Sequence, residues 1–165
     1  MRYAALLALA GALALGHAAT AFAQATPFAP GVDVMTAPVQ AGYFVHQKVV
    51  YQNDGGLPDD RAYFAGEMRN ISNHLDATGG DVEIRVVAFA RGVTLFTLAK
   101  TDPELAKQID DLRARGVRFL ICRNTLRGMK LRPEDLYKVP ATDVVPAGVA
   151  EIARLQGQGF VYIHP

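Results

Sequence analysis

Cys122 is the single cysteine of the 165-residue chain, and it stands where an apolar run turns polar: Val117-Arg118-Phe119-Leu120-Ile121-Cys122-Arg123-Asn124-Thr125-Leu126-Arg127. A thiol so placed becomes a nucleophile, or an acceptor of sulfur, once it is a thiolate. The neighbouring sequence favours the anion. From Arg113 to Arg132 there are seven Lys or Arg (Arg113, Arg115, Arg118, Arg123, Arg127, Lys130, Arg132) and no carboxylate. Arg123 and Arg127 are candidates to stabilise the thiolate or an anionic donor. Asn124 and Thr125 are candidates to supply hydrogen bonds, together with the N–H groups of a helix or turn starting there. The opposing reading has Arg118 and its like facing solvent and Cys122 packed as a small hydrophobe. On the residues alone both stay open.

Other thiol chemistries fit less well. A Cys–His hydrolase needs a histidine base, and none of His46, His74 and His164 lies in a motif around the cysteine. A phosphatase-type cradle needs a longer, glycine-containing loop between cysteine and arginine than Cys122 to Arg127 provides. The string is closer to the rhodanese loop Cys-Arg-x-Gly-x-Arg, with Thr125 in place of glycine, which would predict turnover of thiosulfate with cyanide. Scattered histidines and one cysteine show no metal-ligand spacing, and Asn53-Asp54-Gly55-Gly56 is not a dinucleotide fingerprint, so no metal and no cofactor is expected.

These residues must be positioned by a fold. The chain opens with Met1-Arg2, an apolar run from Ala4 to Leu15 and Ala21-Phe22-Ala23, the pattern of a cleavable signal peptide over residues 1–23 with cleavage between Ala23 and Gln24. The product is expected to be periplasmic or secreted, without a membrane span. Loss of Arg2 with the signal leaves sixteen basic residues against sixteen acidic ones, which argues against nucleic acid as a partner. In an oxidising compartment a lone cysteine forms no internal disulfide, so packing must hold the domain together. Residues 24–46 carry Pro27, Pro30, Pro38, Gly31 and Gly42 and read as a flexible leader or surface arm.

From residue 47 to 165 strands and helices alternate. Strands are predicted at Lys48 to Gln52, Val82 to Ala88, Val117 to Cys122, Val144 to Pro146 and Phe160 to Ile163. The first helix, capped by Asp59 or Asp60 and running to Ala77, buries Phe64, Met68, Ile71 and Leu75, leaving Asn73 and His74 to solvent. Its sequon Asn70-Ile71-Ser72 is discounted because Ile71 faces inward. A helix starting at Thr101 or Asp102 with Pro103 in its first turn buries Leu105, Ile109 and Leu112. After Cys122, Asn124 or Thr125 caps a turn, and the last helix, Ala147 to Leu155, turns Val149, Ile152 and Leu155 inward. This order predicts a three-layer α/β/α sandwich with a mostly parallel five-stranded sheet. Asn53 and Asp54, leaving the first strand, either line a cleft with Cys122 or simply make the turn.

The segments Lys48-Val49-Val50-Tyr51, Arg69-Asn70-Ile71-Ser72-Asn73-His74-Leu75, Val117 to Leu126 and Val144 to Gln156 resemble, as a set, the DsrE/DsrF-like family. The resemblance covers nearly all of Lys48 to Pro165. It implies a small α/β/α sandwich that forms a homo-oligomer, and a cysteine after the third strand, matched here by Cys122, that relays sulfur as a persulfide between donor and acceptor molecules. Export sets this chain apart from the cytoplasmic relays, so its donor and acceptor must differ. Phe89-Ala90-Arg91-Gly92 replaces a more polar turn and implies a drier cleft. The expected function is a periplasmic sulfur carrier acting through Cys122. The alternative is a non-catalytic oligomeric binding or scaffold module with a buried structural cysteine.

Overall fold

A computed structural model of the chain describes residues 26–165. The signal peptide expected over residues 1–23 and its cleavage point lie outside the described residues. Residues 26–46 contain turns but no helix or strand, and most are exposed; His46 ends them with its Nδ1 2.7 Å from Oδ1 of Asp81.

Strands β1 (Gln47–Asn53), β2 (Val82–Ala88), β3 (Arg118–Cys122), β4 (Val144–Val145) and β5 (Val161–Ile163) form one sheet in the order β4-β3-β2-β1-β5. Every pairing is parallel. Parallel neighbours need crossovers, which helices supply: α1 (Asp60–Ala77) joins β1 to β2, and α2 (Thr94–Leu98) and α3 (Pro103–Ala114) join β2 to β3. Then α4 (Arg123–Met129) leaves β3, and α5 (Gly148–Gln156) carries the chain from β4 across the sheet to β5. Strand order therefore runs one way from β1 through β4 and reverses between β1 and β5.

The period-two alternation of strands divides the core. Val49, Tyr51, Ile84, Val86, Phe119 and Ile121 face α1, α2 and α3, and Val50, Val87 and Leu120 face Ile152 and Leu155 of α5 and Phe160. Asp59 caps α1 through the N–H of Ala62, and Asp102 caps α3 through those of Glu104 and Leu105, with Pro103 following it.

Three local expectations are corrected. Val149 is 65% exposed, because α5 starts at Gly148 and its phase turns Gly148, Glu151, Ile152 and Leu155 inward instead. His74 is half-buried rather than solvated, because Tyr51 Oη and Gln47 Oε1 reach its two ring nitrogens at 2.8 and 2.7 Å; burial lowers its pKa. Neither Asn124 nor Thr125 caps the turn after β3. The strand enters α4 directly and Cys122 itself is the N-cap.

Candidate functional site

The strand-to-helix junction decides what surrounds the thiol. Because Cys122 is the N-cap of α4 and still pairs with Val145 of β4, its sulfur lies beside the first N–H groups of α4, which have no partner within the helix. Chain crossover brings a second helix start to the same place, since Gly148, the first residue of α5, follows β4 by two residues.

The residue is 5% exposed, and burial pushes its thiol pKa up. Hydrogen bonds from the Thr125 hydroxyl and from the N–H groups of Thr125, Gly148 and Asn124 outweigh that cost, and the thiol ends below its ordinary value. The anion is thus held by oriented dipoles from two helix starts rather than by a counter-charge. Arginine plays no part in the shift, although the sequence around Cys122 is so basic.

Thr125 has a further partner. Its Oγ1 accepts the N–H of Ala90 at 3.0 Å, which leaves the hydroxyl proton for the sulfur. Ala90 makes this bond from a left-handed backbone, φ 47°, uncommon for a residue with a Cβ. The turn Phe89-Ala90-Arg91-Gly92 therefore shapes the site as well as leaving β2. Phe89 packs against Gly148 so closely that a Cβ there would lie 2.9 Å from Cβ of Phe89. Only glycine lets α5 present its first N–H to the thiol beneath that ring.

The other candidates are dispersed. Arg123 and Arg127 are exposed and line a recess of about 600 Å³ beside α4, with Leu126, Leu131, Arg132 and Val144; Cys122 is not part of its lining. Asn124 and Thr125 meet the thiol as described. Asn53 is wholly buried at the end of β1 beneath Gly92, with its Oδ1 accepting the N–H of Gly55 at 3.3 Å. Asp54 turns to the C-terminal segment, where its Oδ1 meets His164 Nε2 at 3.0 Å. Gly148 and Ala90 were not among the sequence candidates. Gly148 follows Pro146 and Ala147 at a helix start, a usable signal, but nothing local places it near residue 122. Among the described residues no cluster of three His, Cys, Asp or Glu side chains could hold a metal ion, and no helix is long and apolar enough to cross a membrane.

The DsrE/DsrF-like family model matches residues 47–165, the whole of the sheet and its helices. The chain belongs to the DsrE/DsrF-like family. Its relation to a solved structure agrees: a protein of unknown function from Methanobacterium thermoautotrophicum is 34% identical, with a TM-score of 0.62, over 72% of this chain and 99% of that one. No curated protein matches. The DsrE/DsrF-like family is associated with sulfur relay, a chemistry that requires a cysteine held as a ready thiolate.

Loss of one donor should be measurable. Thr125→Val removes the hydroxyl from the sulfur and leaves the Ala90 N–H unpaired. A hydrogen bond to a charged group contributes roughly 1.5–3 kcal/mol, so alkylation of Cys122 by iodoacetamide at pH 7 is expected to slow about tenfold or more. The rate–pH profile should move to higher pH, and an unchanged profile would show that the hydroxyl does not hold the anion.

Proposed function

We propose that this DsrE/DsrF-like protein is a sulfur carrier that works after export, in the periplasm or outside the cell, with residues 1–23 removed. The observation that carries the reading is the thiol of Cys122 held below its ordinary pKa by two helix starts despite its burial. The thiolate attacks the sulfane sulfur of a persulfide or polysulfide. The donor's S–S bond breaks, the donor leaves as a thiolate with the electron pair, and a Cys122 persulfide forms. An acceptor thiolate then attacks the outer sulfur and Cys122 returns to its starting state, so atoms and charge balance without an added oxidant.

Asn124, Thr125 and Gly148 stabilise the anion before and after transfer. Arg123 and Arg127, exposed on the adjoining helix, attract an anionic donor to this end of the sheet. The reading includes a homo-oligomer, with donor and acceptor drawn from small sulfur compounds or other proteins.

Incubation of the purified protein with polysulfide, followed by intact mass, tests the reading. One added sulfur atom is expected on the native protein, removed by a reducing thiol, and none on Cys122→Ser. An equal gain in the variant, or no gain in the native protein, would sink the proposal. The 5% exposure of Cys122 favours one rival, a non-catalytic binding or scaffold module with a structural cysteine. That rival predicts iodoacetamide alkylation no faster than global unfolding, whereas a carrier reacts from the folded state.

A further inference from the structure

The two edges of the sheet are finished differently. At one, β4 is two residues long and half-buried. At the other, β5 pairs with β1 alone among the described residues, and its side chains stand open: Val161 is 63% exposed and Tyr162 40%. Phe160-Val161-Tyr162-Ile163 carries no charge and no proline, two of the devices that keep an edge strand from pairing. The outward backbone groups of such a strand are complementary to another extended strand.

Alternation gives the two faces of this edge different characters. On the α1 side, Val161 and Ile163 join Phe44 and Val49 in the apolar wall of a groove of about 570 Å³. On the opposite side the charges are ordered along the strand. Beside its start, Lys48 Nζ lies 4.6 Å from the centre of the Phe160 ring and donates to the Gln158 carbonyl at 3.1 Å. Arg85 also approaches that ring, and Glu83 is the carboxylate near both, so two cations stand against one anion there. In the middle, the Tyr162 hydroxyl donates to Gln52 Oε1 at 2.9 Å. Beside its end lies the Asp54 carboxylate, 3.0 Å from His164 Nε2.

We propose that this edge is occupied by β5 of a second copy, paired antiparallel about a two-fold axis at Tyr162, so that two five-stranded sheets run on as one. Val161 then lies opposite Ile163 of the second copy, and the two grooves meet in one apolar seam. On the other face Phe160 lies opposite His164 of the second copy, which brings the Lys48 end of each chain to the Asp54 end of the other. The reversed order of charge along β5 is what favours a second copy over an unrelated strand: only the strand's own antiparallel image sets cation against carboxylate at both ends. The pairing gives the homo-oligomer of the sulfur-carrier reading a defined interface and does not depend on the chemistry of Cys122.

Sedimentation velocity of the purified protein tests it. A dimer or larger even assembly is expected, and Val161→Lys, at an exposed position, should halve its mass while circular dichroism stays native. Charge reversal is the sharper arm. Asp54→Lys and Lys48→Asp should each weaken association about tenfold or more, and the double variant should recover most of the loss. Residues 48 and 54 are six apart in an extended segment, roughly 20 Å, too far to couple within one chain, so recovery must come from contact between copies. A native protein that stays monomeric, a Val161→Lys variant that keeps its assembly, or a double variant no better than the singles overturns the proposal. Polysulfide loading of Cys122 in the same samples tests the carrier separately, because the interface stands on mass and affinity alone.

Discussion

Gly92→Ala is expected to destabilise the protein by about 3–5 kcal/mol, at the upper end of what overpacking costs. Gly92 needs no unusual backbone angle; what it provides is close approach. A Cβ at residue 92 would lie 2.0 Å from the backbone oxygen of Asn53 and 2.5 Å from its Oδ1. Neither atom can yield cheaply. That backbone oxygen accepts the Phe89 N–H at 3.0 Å, and Asn53 closes β1, an interior strand between β2 and β5, with no exposed surface. Relief requires lifting the turn Ala90–Val93 off the strand end, which also withdraws the Ala90 N–H from Thr125 and loosens the thiol site. Urea denaturation of the variant measures the loss, and iodoacetamide reactivity of Cys122 reports the site. Gly128→Ala in α4 is the internal control: nothing lies within 4 Å of its added Cβ, so it should be neutral or stabilising by up to about 1 kcal/mol. Equal effects at the two positions would show that the contact with Asn53 does not matter.

Glu67→Gln should make the protein more stable, and more so as pH rises. The carboxyl titrates at about 8 in the folded protein against 4.5 for its ordinary value, because burial and then Asp54 disfavour its charge. Between those two values the unfolded chain has lost the proton and the folded chain keeps it. The unfolded state then binds fewer protons, so stability falls with rising pH across this window and levels off above about 8. At about 1.4 kcal/mol per pH unit the whole window amounts to on the order of 5 kcal/mol. Glutamine keeps the shape and carries no charge, so the stability gap between variant and native protein should be small near pH 5 and widest at pH 8. Paired urea denaturation curves at these two pH values decide it. A gap independent of pH would mean that Glu67 is ionised in the fold and satisfied in some other way.

Glu67 also shows how far periodicity reaches. Phe64, Met68, Ile71 and Leu75 mark the inward stripe of α1, and Glu67, three residues after Phe64 and four before Ile71, falls on the same face. Its position was legible as a polar residue on an apolar stripe. Its significance was not, because a glutamate there can swing to solvent unless neighbours close over it, and those neighbours come from β1, β5 and the C-terminal segment.

The Cys122 site divides along the same line. Alternation and capping, which depend on hydrogen bonds and burial within a few residues, determined the strands, the Asp102–Pro103 helix start, the parallel α/β class and the thiol's place at the carboxyl end of β3. The charge run around residue 122 was just as visible, yet charge near in sequence is not charge near in space: Arg123 and Arg127 line a recess that Cys122 does not join. Asn124 and Thr125, next to Cys122 in the chain, supply three of the four donors to the sulfur; tertiary structure decided that Gly148 supplies the fourth. Sheet order and the return of α5 bring Gly148 to Cys122, the packing of the turn after β2 sets Ala90 against Thr125, and the balance between burial and donors depends on all of them at once. Sequence determines a local pattern because the forces behind it act between neighbours in the chain, whereas the state of a buried thiol is fixed by every element that surrounds it.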